Sequence, residues 1–78
     1  MRYFFIVPDG VTISDDVGIE LADDNAAKSE AIDASAEMMS SLGLRFWEGG
    51  SWQMQVLDET GREVLTLHFR GEISAPTA

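Results

Sequence analysis

Few side chains in this sequence are equipped for chemistry, and their spacing limits what they can do. His68 is the only histidine, and there is no cysteine. A general base needs an orienting partner and a pocket. His68 falls on the outward side of an alternating stretch, which predicts a solvated ring. With no thiolate there is neither a cysteine nucleophile nor a thiolate zinc site. The carboxylates Asp15, Asp16, Glu20, Asp23 and Asp24 come nearest to a metal-binding group. A calcium loop sets oxygen ligands at fixed intervals and closes them with a bidentate glutamate. This run has no such interval, so its acids are assigned to helix capping, turn chemistry and solubility. The hydroxyls of Thr12, Ser14, Ser29, Ser35, Ser40, Ser41 and Ser51 lack a nucleophile elbow or a base at a useful spacing. The glycines stand singly at turns, apart from Gly49-Gly50, and make no phosphate-cradling loop. No catalytic, cofactor-binding or metal-ligating residue is expected, and no enzyme activity.

The elements that carry these residues are organised around Tyr3 to Val7, apolar at every position. A strand with no polar side is expected to be covered on both faces, in the middle of a sheet. Pro8-Asp9-Gly10 turns the chain. Val11-Thr12-Ile13 begins a return path, and Val17 to Leu21 completes a short, irregular edge strand with Ile19 and Leu21 toward the core. Asp23 or Asp24 caps a helix that runs to about Ser41. Its inner stripe is Ala27, Ala31, Ala34, Ser35, Met38 and Leu42, flanked by Ile32 and Met39, with Ser29, Glu30, Asp33, Glu37 and Ser40 outside. Gly43 ends it in a left-handed conformation. Leu44 to Gly50 reads as a connection carrying Phe46 and Trp47. Trp52, Met54 and Val56 then alternate with Ser51, Gln53 and Gln55 in a third strand. Asp58 to Arg62 makes a hairpin loop, and Leu65, Leu67 and Phe69 mark the core face of a fourth strand, Glu63 to Arg70. The fold class predicted is α+β in the order ββαββ: a four-stranded, antiparallel-rich sheet with one helix on one face. The first and fourth strands are expected as the inner pair, because the second and third carry more polar positions. Residues 1–70 form a single domain, and 71–78 a frayed tail.

Composition narrows the function classes. Seventy-eight residues are near the lower limit for one core, since a chain this short buries only about 60% of its unfolded surface. Help from a partner or a second copy is in keeping with that size. Fourteen acidic residues against five basic ones give a net charge of −9. The basic residues Arg2, Lys28, Arg45, Arg62 and Arg70 are scattered, which argues against nucleic acid and against anionic membrane surfaces. No apolar run reaches the roughly 20 residues of a membrane span, and the N-terminus lacks the features of a signal peptide. The expected location is the cytoplasm.

Several stretches together resemble a family of short, functionally uncharacterised proteins common in alphaproteobacteria. They are Arg2-Tyr3-Phe4-Phe5, Asp9-Gly10, Gly18-Ile19-Glu20-Leu21, Asp23 to Ala27, Trp52, and Asp58-Glu59 with Gly61-Arg62 before Val64-Leu65-Thr66-Leu67. The resemblance spans nearly the whole chain and implies no catalytic residues. Phe46-Trp47 lies outside its pattern.

The functional expectation rests instead on surplus apolar surface. With one helix on the sheet, either Tyr3, Phe5 and Val7 or Phe4 and Ile6 have no helix above them, and Val64 and Thr66 extend that second face. The candidate interface is Tyr3, Phe5, Val7, Phe46, Trp47 and Val64, in a protein-interaction or regulatory module that contacts a protein partner or forms a homo-oligomer. The alternative drawn from the charge is an acidic nucleic-acid mimic, or an antitoxin-like neutraliser of a basic partner.

Overall fold

The computed structural model describes residues 1–7 and 17–75. The turn at Pro8-Asp9-Gly10, the return path through Ile13 and the acids Asp15 and Asp16 lie outside the described residues, as does Pro76. The elements are β1 (Arg2–Ile6), β2 (Ile19–Glu20), α1 (Asp24–Leu42), a 3-10 turn (Gly43–Arg45), α2 (Phe46–Gly49), β3 (Ser51–Asp58) and β4 (Glu63–Arg70). The fold is α+β: a four-stranded antiparallel sheet with α1 against one face.

The strands run in the order β2-β1-β3-β4, so β1 and β3 are the inner pair and β4 is an edge. This corrects the expectation that placed β4 inside. The polar residues Gln53 and Gln55 do not drive β3 to an edge, because they alternate onto the face away from α1 and stay partly exposed. Their neighbours Trp52, Met54 and Val56 are buried on the other face. A central strand needs both edges bonded, not both faces apolar.

The pairings Tyr3↔Asp58 and Phe5↔Val56 put Tyr3, Phe5 and Val7 on the side of Met54 and Val56, beneath α1. Tyr3, Val7, Trp52, Met54 and Val56 join Ala27 and Ala31 in the buried core. Leu65, Leu67 and Phe69 pack against it from β4, half-buried, with Trp52 and Phe69 edge to face at 5.7 Å. The alanines let α1 approach closely. A larger side chain at fully buried Ala31 is expected to cost about 1–3 kcal/mol by overpacking.

Asp23 caps α1 through its carboxylate, which accepts from the Ala26 N–H at 2.9 Å. Ser35 is buried as expected, its hydroxyl donating to the Ile32 carbonyl. Ile32 itself does not face the core. It is 55% exposed, because its position is about 100° around the helix from Ala31 and outside the buried stripe. Gly43 has positive φ (54°), but its ψ of −130° leads into the 3-10 turn and α2. The segment Leu44 to Gly50 is therefore mostly helical. β2 shrinks to two residues: Leu21 reaches the core, while Ile19 is 39% exposed at the edge. The tail starts with an ordered contact, Gly71 N–H to the Gly50 carbonyl at 2.8 Å.

Candidate functional site

Two constellations stand out, one polar and one apolar. The polar one is centred on Asp58, a carboxylate only 3% exposed at the end of β3. Its Oδ1 accepts from the Thr60 N–H at 2.9 Å, the Thr60 hydroxyl at 2.6 Å and the Arg62 N–H at 3.1 Å. Its Oδ2 accepts from Arg62 Nε at 2.9 Å. Gly61, at φ 88°, supplies the positive-φ corner that folds the loop back over the carboxylate. Arg62 then reaches Asp24 at the start of α1 (2.8 Å), and the Tyr3 hydroxyl donates to the same carboxylate at 2.8 Å. The chain Tyr3–Asp24–Arg62–Asp58–Thr60 thus ties β1, α1 and the hairpin loop together.

The electrostatics follow from these bonds. The Thr60 hydroxyl, with lesser help from its N–H and from Arg62, holds the Asp58 carboxyl down to about 2, against the cost of burial. Loss of water around Tyr3, reinforced by the Asp24 carboxylate, pushes the phenol up to about 12. Arg62 and then Tyr3 lower Asp24, and Asp24 and Asp58 raise Arg62. Each of these side chains is bonded to another within the chain, the arrangement of a structural fastening, while Arg62 and Asp24 stay partly open to solvent. A shallow space of about 450 Å³ lies beside Tyr3, Asp24 and Arg62.

The apolar constellation is the sheet face turned away from α1. Phe4 and Leu57 are direct cross-strand partners there, with Ile6 next along β1, and all three are half-buried. Gln53, Gln55, Thr66, His68 and Arg70 continue the face as polar positions. A second feature is a groove of about 420 Å³ lined by Ala34, Met38, Leu42 and Trp52 together with the polar Glu37, Ser41 and Arg45.

The six residues of the expected interface divide. Tyr3 is 1% exposed and Val7 is buried, with Phe5 beside them, all on the covered face of β1. The face without a helix over it therefore carries Phe4 and Ile6. Val64 packs against the core because the ladder shifts register between Val56 and Leu57, so that Val64 and Leu65 together oppose Val56. A bulge of this kind turns two consecutive side chains to one face. Phe46 also packs against the core, while Trp47 is 44% exposed. Their rings meet edge to face at 5.4 Å and lie over Gly71, where a Cβ would come within 2.5 Å of Trp47 and 2.8 Å of Phe46. His68 is exposed on the open face. Of the acidic group, Glu20 pairs with Arg2 at 3.7 Å, Asp23 caps α1 and Asp24 joins the network. No three His, Asp or Glu side chains are placed to share a metal ion among the described residues.

Sequence reasoning missed the Tyr3–Asp24–Arg62–Asp58 network. Its available signal was a tyrosine inside an apolar strand, whose buried hydroxyl must find a partner, and an Asp two residues before Thr60 in a tight loop.

A family model described as Domain of unknown function (DUF6894) matches residues 2–70. The chain belongs to that family. The match begins with β1 and ends with β4, so every helix and strand described above lies inside the DUF6894 span, along with the whole polar network. No curated protein and no solved structure matches the chain. Among the described residues, no helix is long and apolar enough to cross a membrane.

Proposed function

We propose that this DUF6894 chain is a non-catalytic protein-interaction module whose contact surface is the sheet face opposite α1, centred on Phe4, Ile6 and Leu57. The observation that carries the reading is the Phe4–Leu57 cross-strand pair with Ile6 beside it: three large apolar side chains, left partly exposed on a sheet face that α1 does not cover. Their polar border of Gln53, Gln55, Thr66 and His68 matches the apolar-centre, polar-rim make-up of protein interfaces. Support also comes from the polar network, whose side chains bond to one another and tie β1, α1 and the hairpin loop together.

The test compares the wild-type chain with Ile6→Asp as bait in its own cells at near-physiological salt, with circular dichroism to show that the variant folds. A stoichiometric protein held by the wild type and lost by Ile6→Asp supports the reading. The same protein held equally by both overturns it. The net charge of −9 favours a second reading, an acidic decoy or neutraliser of a basic partner. In that case Ile6→Asp keeps the partner, and salt at about 0.5 M releases it.

A further inference from the structure

We infer that the free edge of β4 pairs antiparallel with β4 of a second copy of this chain, making one eight-stranded sheet. The inference goes beyond the interaction-module reading, since it uses the sheet edge and not the Phe4–Leu57 face. β4 is a full eight-residue strand bonded to β3 on one side, and no described strand or helix pairs with its other side. The opposite edge, β2, has only two residues. Native edges are usually blunted by proline, charged side chains and lysine above all, extreme shortness or a bulge. β4 has no proline and no lysine; its charges, Glu63 and Arg70, stand at its two ends, and its one irregularity lies at the Val64 end, which leaves Leu65 to Phe69 unblunted.

The backbone phase fixes which groups face outward. The Gly71 N–H bonds to the Gly50 carbonyl, so residue 71 points toward β3. Antiparallel alternation then turns Phe69, Leu67 and Leu65 toward β3 and Arg70, His68 and Thr66 toward the free edge. A twofold axis at His68 pairs all three outward residues among themselves: Thr66 with the second copy's Arg70, His68 with its counterpart, and Arg70 with the second copy's Thr66. On the α1 side, the same register sets Leu67 against the second copy's Phe69, and both are only half-buried in one chain.

Local charge complementarity along the edge favours the second copy as occupant, against the overall repulsion of two chains that each carry −9. The Thr66 hydroxyl is hydrogen-bonded to the Glu63 carboxylate on the open face. Thr66 would face the second copy's Arg70, so each Glu63 meets an Arg70 guanidinium, twice by symmetry. Among the described residues of one chain, Arg70 pairs with the exposed Glu72, at 2.9 Å. An edge contact is small beside the 1,200–2,000 Å² of a standard interface, so a dimer of roughly micromolar to tens of micromolar Kd is expected.

Sedimentation equilibrium of the purified chain, from about 1 µM to 1 mM, tests this without any partner present. The expected result is a single-chain mass at the dilute end and twice that mass at the concentrated end. His68→Pro removes an outward N–H that β3 does not use, and proline is tolerated there on an edge strand. It should weaken the dimer at least tenfold with an unchanged far-UV spectrum. If His68→Pro does not fold, Arg70→Glu serves in its place, with recovery in the double variant Glu63→Arg/Arg70→Glu. Amide exchange at Thr66, His68 and Arg70 should slow as concentration rises. Single-chain mass up to 1 mM overturns the inference, and so does a dimer that His68→Pro or Arg70→Glu leaves intact. A partner held equally by the wild type and Ile6→Asp, with the dimer intact, would overturn only the open-face reading.

Discussion

At one end of the β3–β4 hairpin the strands are held by charge; at the other they are held by aromatic rings over a glycine. The Asp58 end gathers a buried carboxylate, a hydroxyl, two backbone N–H groups and a guanidinium within 3.1 Å. The Gly71 end has one backbone bond to Gly50, and Phe46 and Trp47 lie where a side chain of residue 71 would stand. The difference teaches how a small domain secures an edge strand it cannot bury. The polar fastening has direction and loses most if one partner is removed. The aromatic one has no direction and loses most if its gap is filled.

The largest expected effect is therefore at Asp58. Asp58→Ala leaves the Thr60 and Arg62 donors without their acceptor in a nearly closed site, and unmet buried donors are among the costlier defects. The melting temperature should fall by about 10 °C or more, a large drop for a chain of this size. Acid sharpens the same point. The folded carboxyl is held down to about 2, below an unfolded value near 3.9. Its contribution is thus complete above about pH 4 and is lost as pH falls toward 2. The wild type should lose stability steeply over that window, and Asp58→Ala should lose less. Equal slopes in the two proteins would show that the network does not carry the acid response.

The next effect belongs to Gly71. A methyl group there collides with the Trp47 ring at 2.5 Å, and Gly71→Ala should cost about 1–3 kcal/mol by overpacking. The comparison breaks or holds in a double-mutant cycle. If the rings are the obstacle, Gly71→Ala should be nearly neutral in a Trp47→Ala background, with a coupling of about 1 kcal/mol or more. A full penalty in that background would place the cause in the backbone and not in the rings. Thermal unfolding of the four proteins by circular dichroism supplies the numbers.

The two fastenings also differ in how legible they were. The loop from Asp58 to Arg62 signals its hairpin directly, because its Asp, Thr and Gly lie within four residues and act on one another locally. The helix was readable from a cap at Asp23 or Asp24 to its alanine stripe for the same reason, and the structure decides for Asp23. The Phe46-Trp47 clamp depends on a residue far along the chain with no side chain at all, and no periodicity announces a glycine chosen for the space above it. Strand order failed similarly. Gln53 and Gln55 looked like an edge strand, yet they mark a central strand whose second face has no described helix over it. The Val64 bulge reversed the face of one residue of the expected interface without any glycine or proline to advertise it. What stayed legible was local chemistry, and what escaped were pairings between distant segments.

The smallest effect expected is at the far end of the polar chain, at Tyr3. Tyr3→Phe keeps the ring that fills the core and removes only the hydroxyl that donates to Asp24 at 2.8 Å. Asp24 retains Arg62, so the loss should be modest, about 5 °C in melting temperature. The alkaline limb discriminates better than the midpoint. The folded phenol lies at about 12 and the unfolded one near 10. Folding favours the neutral form, so this contribution is complete below pH 10 and disappears as pH rises through 12. The wild type should lose stability across that interval faster than Tyr3→Phe, whose ring has nothing to ionise. If the two curves run parallel, the Tyr3 hydroxyl reaches water in both states, and the fastening ends at Asp24 without extending into β1.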